Sequence, residues 1–219
     1  MNIWTIAKKN IRNRNRKAMS DNQIGTYKLV ASPFHLDVRG KLSMGVLGKH
    51  LLNCADAYAA ERGFDVVEQG GEHYTWVLSR LAIELEDLPS CHESFSIQTW
   101  VENVYRLFAD RNFVICDKDE KPIGYVRSVW AMISMETRNP ANLLSLYGDR
   151  ITNSICEKEC PIAKPGRIKV SQQEAVSEYV AKYSDLDING HVNSIKYIEH
   201  ILDIFPLDIY KKKDLKRFE

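Results

Sequence analysis

The chain has 219 residues, 44% hydrophobic and 27% charged, with 30 basic against 29 acidic residues for a net charge of +1. That apolar content suffices for a full core, and the charge balance gives no basic field for nucleic acid. Five cysteines, an odd number, and no secretory or membrane-length apolar run predict a reducing compartment, the cytoplasm, with no membrane span.

Residues 1–21 read as a basic leader. Lys8, Lys9, Arg12, Arg14, Arg16 and Lys17 fall within the first 18 residues, which contain no Asp or Glu. Six of the 30 basic residues and none of the 29 acidic ones lie there, so the rest of the chain carries a net charge of −5. The segment reads as disordered sequence upstream of a start at Met19. A transit peptide and a weak anchor to an anionic surface are the alternatives.

The first strong periodicity follows Leu36-Asp-Val-Arg-Gly-Lys-Leu-Ser43. Met44, Leu47, Leu51, Cys54 or Ala55, and Tyr58 recur at helical spacing, with Ser43 as N-cap and Gly63 just past the end. Strand patterns come next, over 74–86, 93–105, 107–117 and 121–136. In one, Phe95, Ile97 and Thr99 alternate with Ser94, Ser96 and Gln98. Turn residues join them at Leu88-Pro-Ser-Cys91 and Asp117-Lys-Asp-Glu-Lys-Pro122. One long helix followed by four long antiparallel strands is the order of a hotdog domain, an α+β fold in which a curved sheet wraps a central helix. We assign it residues 22–137. Residues 138–174, with Asn139-Pro140, Pro161 and Pro165-Gly166, read as a linker. A strand around 175–183 and a second helix then open another unit over 175–219.

That second unit carries the chemistry. Asp185, Asp187, Asn189, His191 and Asn193 occupy every second position, which in an extended segment puts all five side chains on one face. Val192, Ile195, Ile198 (or Ile201) and Phe205 follow at helical spacing, so the polar row runs into a helix start. Unpaired N–H groups there suit a developing oxyanion. Carboxylate, amide and imidazole together are the parts needed to activate water against an acyl carbonyl. Asn and Asp are also common in turns and N-caps, but a plain turn has no use for the His.

The row has an echo. Leu36-Asp37-Val-Arg-Gly40-Lys-Leu42 matches Leu186-Asp187-Ile-Asn-Gly190-His-Val192, each followed by an apolar-periodic helix. This predicts a duplication with a period of about 150 residues. Arg39 and Lys41 stand where the second copy has Asn189 and His191, and a protonated Arg or Lys cannot act as a general base. The first copy therefore reads as scaffold.

The pattern Asp-x-Asp-x-Asn-x-His-Val-Asn over 185–193, with Tyr197 in the first helical turn, resembles the acyl-acyl-carrier-protein thioesterases, tandem-hotdog enzymes. The resemblance extends from about Asn22 onward and is strongest over 183–205. It implies that the first hotdog shapes an acyl pocket while the second catalyses hydrolysis of a fatty acyl thioester on acyl carrier protein. It further implies that Asn189 and His191 are site residues and Asp187 an orienting carboxylate. The family's remaining catalytic group, a Glu or Cys, lies on a strand after the second helix, and only 32 positions follow Asp187 here. We therefore expect a second hotdog that is incomplete in this chain, or one completed by another subunit. Backbone N–H groups of the second helix would polarise the carbonyl. Lys211, Lys212, Lys213, Lys216 and Arg217 are candidates for docking an acidic carrier. Paired hotdog sheets leave a homodimer or pairing within one chain open. The alternatives are a coenzyme A thioesterase on the same scaffold and a non-catalytic acyl- or carrier-binding remnant. There is no glycine-rich phosphate loop, no cofactor is implied, and Cys156 and Cys160 lack the partners of a zinc site.

Overall fold

The computed structural model describes residues 23–167 and 177–219, so the basic leader expected over 1–21 lies outside the described residues. The central helix, α1 (Met44–Arg62), has the ends its sequence predicts. Ser43 Oγ accepts the Val46 N–H at 3.4 Å, and Gly63 terminates the helix at φ +74°, a conformation that suits glycine. Leu47, Leu51, Cys54, Ala55 and Tyr58 are all buried.

A single antiparallel sheet wraps that face. It contains β1 (Gly25–Val30), β2 (Val67–Gln69), β3 (Glu72–Leu85), β4 (Ser94–Val104), β5 (Phe108–Cys116) and β6 (Pro122–Ser134), in the order β1-β4-β5-β6-β3-β2. This is the hotdog arrangement. The four long strands coincide with the alternating runs, whereas the short edge strands β1 and β2 go unannounced in the pattern. Bulges at Leu78/Arg80 in β3 and Val101/Asn103 in β4 bend the strands and help the sheet curve. Alternation along β5 sorts the two faces. Phe113 and Ile115 join the core around α1. Val114 and Cys116 pack with Trp100, Cys156, Cys160 and Ile162 on the opposite face.

The described part of the segment expected as a linker over 138–174, residues 138–167, thus folds onto the sheet. Within them α2 (Leu143–Tyr147) and α3 (Asp149–Thr152) bury Leu143, Tyr147 and Ile151 in a cluster with Tyr58, Phe64 and Met132. The strand expected around 175–183 is not found in its described part. Residues 177–182 have no regular structure, and Tyr183–Asp185 is a 3₁₀ turn. A strand needs a neighbour for its N–H and C=O groups, and among the described residues none pairs with this segment.

The second helix, α4 (Ser194–Asp203), packs directly on α1. Ile195 and Ile198 are buried in the α1 core, each contributing about 1.5–3 kcal/mol. Gly48 permits the approach, because a Cβ there would lie 2.6 Å from Ile195 Cδ1. Beyond it come α5 (Leu207–Lys212) and β7 (Arg217–Phe218), which pairs with Ile83 and Glu84 of β3. Among the described residues, then, α4 has no sheet of its own and shares the core of the first unit. No helix among them is long and apolar enough to cross a membrane.

Candidate active site

The polar row does not lie along an extended strand. Gly190, at φ +73°, turns the chain back so that Leu186 bridges Val192 and the Asp187 N–H donates to the His191 carbonyl at 2.8 Å. Asp187 Oδ1 closes the loop from inside, accepting the N–H groups of Asn189 (2.8 Å) and His191 (3.1 Å). Asn193 then caps α4, its Oδ1 accepting the Ile195 N–H at 2.9 Å. A tight loop tied at its neck thus sits on a helix start, and its short polar side chains shape the backbone as much as they line a site.

The turn splits the row. Asp187, Asn189, His191 and Asn193 line one cavity of about 530 Å³. Asp185, expected on the same face, points into the protein and is only 1% exposed. Its carboxylate accepts the Lys182 N–H at 2.7 Å and the Tyr179 hydroxyl at 2.8 Å, and His200 Nε2 lies 3.3 Å away. The Lys182 N–H, with the Tyr179 hydroxyl, holds the Asp185 carboxyl below the usual carboxylate range. The Tyr179 ring packs on His200 at 3.8 Å between centroids. Asp185 and His200 therefore anchor the loop and α4.

Across the cavity mouth stands Arg138, which no motif announces. It follows β6 in a left-handed backbone conformation, φ +61°, and its Nη2 lies 3.0 Å from His191 Nε2. A guanidinium only donates, so this contact is a hydrogen bond when Nε2 carries its lone pair and the ring proton is on Nδ1. The cavity behind is mainly apolar, with Leu52, Ala55 and Ala59 of α1 on one side and Trp76, Val77 and Trp130 of the sheet on the other. Ser194 and Tyr197, in the first turn of α4, also line it. Asn193 occupies the Ile195 N–H through Oδ1 and the Lys196 N–H through its carbonyl at 2.8 Å, and Ser194 opens the helix with a backbone donor on the cavity.

The first loop copy repeats this geometry. Leu36 bridges Leu42, the Asp37 N–H donates to the Lys41 carbonyl at 2.7 Å, and Asp37 Oδ1 accepts the N–H groups of Arg39 (2.8 Å) and Lys41 (3.2 Å). Gly40 has φ +72°. The side chains behave otherwise. Arg39 Nε and Nη2 close on Asp37 Oδ2 at 3.2 and 3.1 Å while Nη1 reaches Asp214, and Lys41 pairs with Asp87 at 2.9 Å. None of these residues lines the cavity. The basic run near the end of the chain is partly tied as well: Arg217 pairs with Glu84 and with Glu219, and Lys216 lies 3.6 Å from Asp214.

Comparison with known proteins agrees with this architecture. The acyl-ACP thioesterase N-terminal domain matches residues 26–149, and the acyl-ACP thioesterase C-terminal domain matches residues 168–219. A crystal structure of an acyl-ACP thioesterase from Bacteroides thetaiotaomicron is 60% identical, covering 91% of this chain and 81% of that one, with a TM-score of 0.83. A 12:0-ACP thioesterase from Umbellularia californica shares the fold at 16% identity, covering 90% of this chain and 76% of that one with a TM-score of 0.74. The palmitoyl-acyl carrier protein thioesterase of Gossypium hirsutum is 25% identical over 170 residues, 74% of this chain and 41% of that protein. The chain thus spans about two fifths of the length of the curated plant relatives it matches. With one family description covering more than half of its length and a solved relative at 60% identity, the chain belongs to the acyl-ACP thioesterase family.

Proposed function

We propose that this protein hydrolyses fatty acyl thioesters carried on acyl carrier protein, releasing free fatty acid and the carrier thiol for fatty-acid biosynthesis. The observation that carries this reading is the meeting of Asn189 and His191 with an apolar cavity of about 530 Å³, large enough for an acyl chain. His191 takes a proton from the attacking water at Nε2 and delivers it to the leaving thiolate. Arg138 holds that lone pair here and must yield it when water binds, its charge then favouring the oxyanion. Asn189 orients the water or the carbonyl, Asp187 fixes the loop that presents both, and the Ser194 N–H polarises the carbonyl.

Water adds to the thioester carbon, the tetrahedral oxyanion collapses, the C–S bond breaks, and the thiolate leaves protonated. The free thiols of Cys54, Cys91, Cys116, Cys156 and Cys160 support a reducing location, the cytoplasm. A homodimer, the association expected from hotdog sheets, is tested by sedimentation. Lys212 and Lys213, both exposed, remain candidates for carrier docking, which requires KM to rise with salt.

The test is release of fatty acid from purified acyl-carrier thioesters, with matched acyl-coenzyme A substrates alongside. Turnover with a higher kcat/KM on the carrier substrate supports the proposal. His191→Ala should lower kcat by about 100-fold or more without changing Tm. A preference for coenzyme A would reassign the carrier, and acyl binding without turnover would leave a binding protein.

A further inference from the structure

The far end of the acyl cavity is not apolar. Arg111 of β5 lines the cavity and is 6% exposed. Its neighbours on the same face of the strand are Ala109 and Phe113, both buried. Its Nη1 donates to the buried hydroxyl of Thr99 at 3.3 Å, and its guanidinium carbon lies 4.5 Å from the centroid of the Tyr58 ring. Among the described residues no carboxylate lies within ion-pair distance of it. A second cation, Arg62, shares the Tyr58 ring at 3.6 Å but pairs with Glu61 at 3.2 Å. Burial lowers the Arg111 pKa to about 10, which still leaves the group charged at neutral pH.

A buried cation costs several kcal/mol unless an acceptor compensates it. One hydroxyl and one aromatic face supply little of that, and a plain hydrocarbon chain threaded past the guanidinium would supply nothing. Position adds to the argument. Arg111 pairs with Ser128 of β6, six residues before Ser134 ends that strand, and Arg138 follows that end towards His191. At strand rise this places Arg111 on the order of 20 Å along the sheet from the reacting end.

We infer that Arg111 forms a polar subsite at the distal end of the acyl cavity, selecting acyl chains that carry a hydroxyl or carboxylate oxygen near their far end. The guanidinium donates to that oxygen, forming a charge-assisted bond, while Thr99 and Tyr58 hold it in place. This inference rests on the thioesterase reading only for the acyl nature of the ligand, and its test does not need turnover.

The experiment measures binding of non-hydrolysable acyl-pantetheine amides to the full chain by calorimetry. The series varies chain length and ends in a methyl, a hydroxyl or a carboxylate. The amide head removes the acid group that a free fatty acid would offer to Arg111. At the length that reaches Arg111, an oxygenated end should bind about tenfold tighter than a methyl, the worth of one hydrogen bond to a charged group. Arg111→Met should abolish or reverse that preference, and Arg111→Lys should retain part of it. Equal binding of methyl and oxygenated ends at every length would overturn the inference in the unaltered protein, whether or not the Met variant folds. Hydrolysis without such a preference sinks the subsite and keeps the thioesterase reading; preference without hydrolysis does the opposite.

Discussion

The loops at 36–43 and 186–193 have one backbone and two sets of side-chain contacts. In each, an aspartate accepts two N–H groups from the residues two and four positions on, a glycine turns with φ near +72°, and a polar residue caps the helix that follows. In the first copy Arg39 neutralises its own aspartate and Lys41 pairs outward with Asp87. In the second, Asn189 and His191 face the cavity, and His191 meets Arg138 from the other unit. The shared residues build a conformation; positions 39/189 and 41/191 decide which partners its side chains meet. The next offset pairs differ in the same way. His35 faces His50 at 5.7 Å in the first copy, where Asp185 faces His200 in the second.

The two loops separate most clearly when their aspartates are removed one at a time. Asp187→Ala should lower kcat/KM by about 100-fold, because it releases the loop that positions His191. Asp37→Ala should leave kcat/KM unchanged. Both should lose about 1–2 kcal/mol of stability from the lost amide bonds, read by denaturant melts. Equal effects of the two substitutions on turnover would mean that the copies are not functionally distinct.

The glycines come next. Among the described residues, no atom beyond the chain neighbours lies within 4 Å of where a Cβ would stand at Gly40 or Gly190, so alanine costs only backbone strain, about 1–2 kcal/mol at either site. Gly190→Ala should also depress turnover, and Gly40→Ala should not. A smaller effect separates the histidines. Burial, with the nearby His35, lowers the His50 pKa from its ordinary 6.5. As pH falls below 6.5 the unfolded chain binds the proton that folded His50 refuses, so stability drops there. His50→Gln should flatten that part of the Tm–pH curve; an unchanged slope would remove His50 as its source.

Much of this was legible in the residues. Ser43 and Gly63 mark both ends of α1, the alternation of 94–99 marks β4, and the offset match of Asp37-x-x-Gly40 with Asp187-x-x-Gly190 marks the duplicated loop. Asp185 misled, because a period of two implies one face only while the chain stays extended, and Gly190 turns it. Arg138 and Arg111 were silent for different reasons. Arg138 reaches His191 across 53 positions of sequence, with no motif to link them. Arg111 looks like an outward charge in a strand until its phase with Ala109 and Phe113 turns it inward. The packing of 138–167 was hidden because its short helices bury residues one or two at a time, leaving no sustained period.

The proposed mechanism assigns the reaction to Asn189 and His191 of the second loop, on a backbone that the first loop shares. The most direct measurement is fatty-acid release from an acyl-carrier thioester by the double variant Asn189→Arg/His191→Lys, which gives the second loop the side chains of the first. An unchanged fold by circular dichroism, a Tm close to that of the unaltered protein, and no turnover are expected. Release at the original rate from the folded double variant would contradict the proposed mechanism.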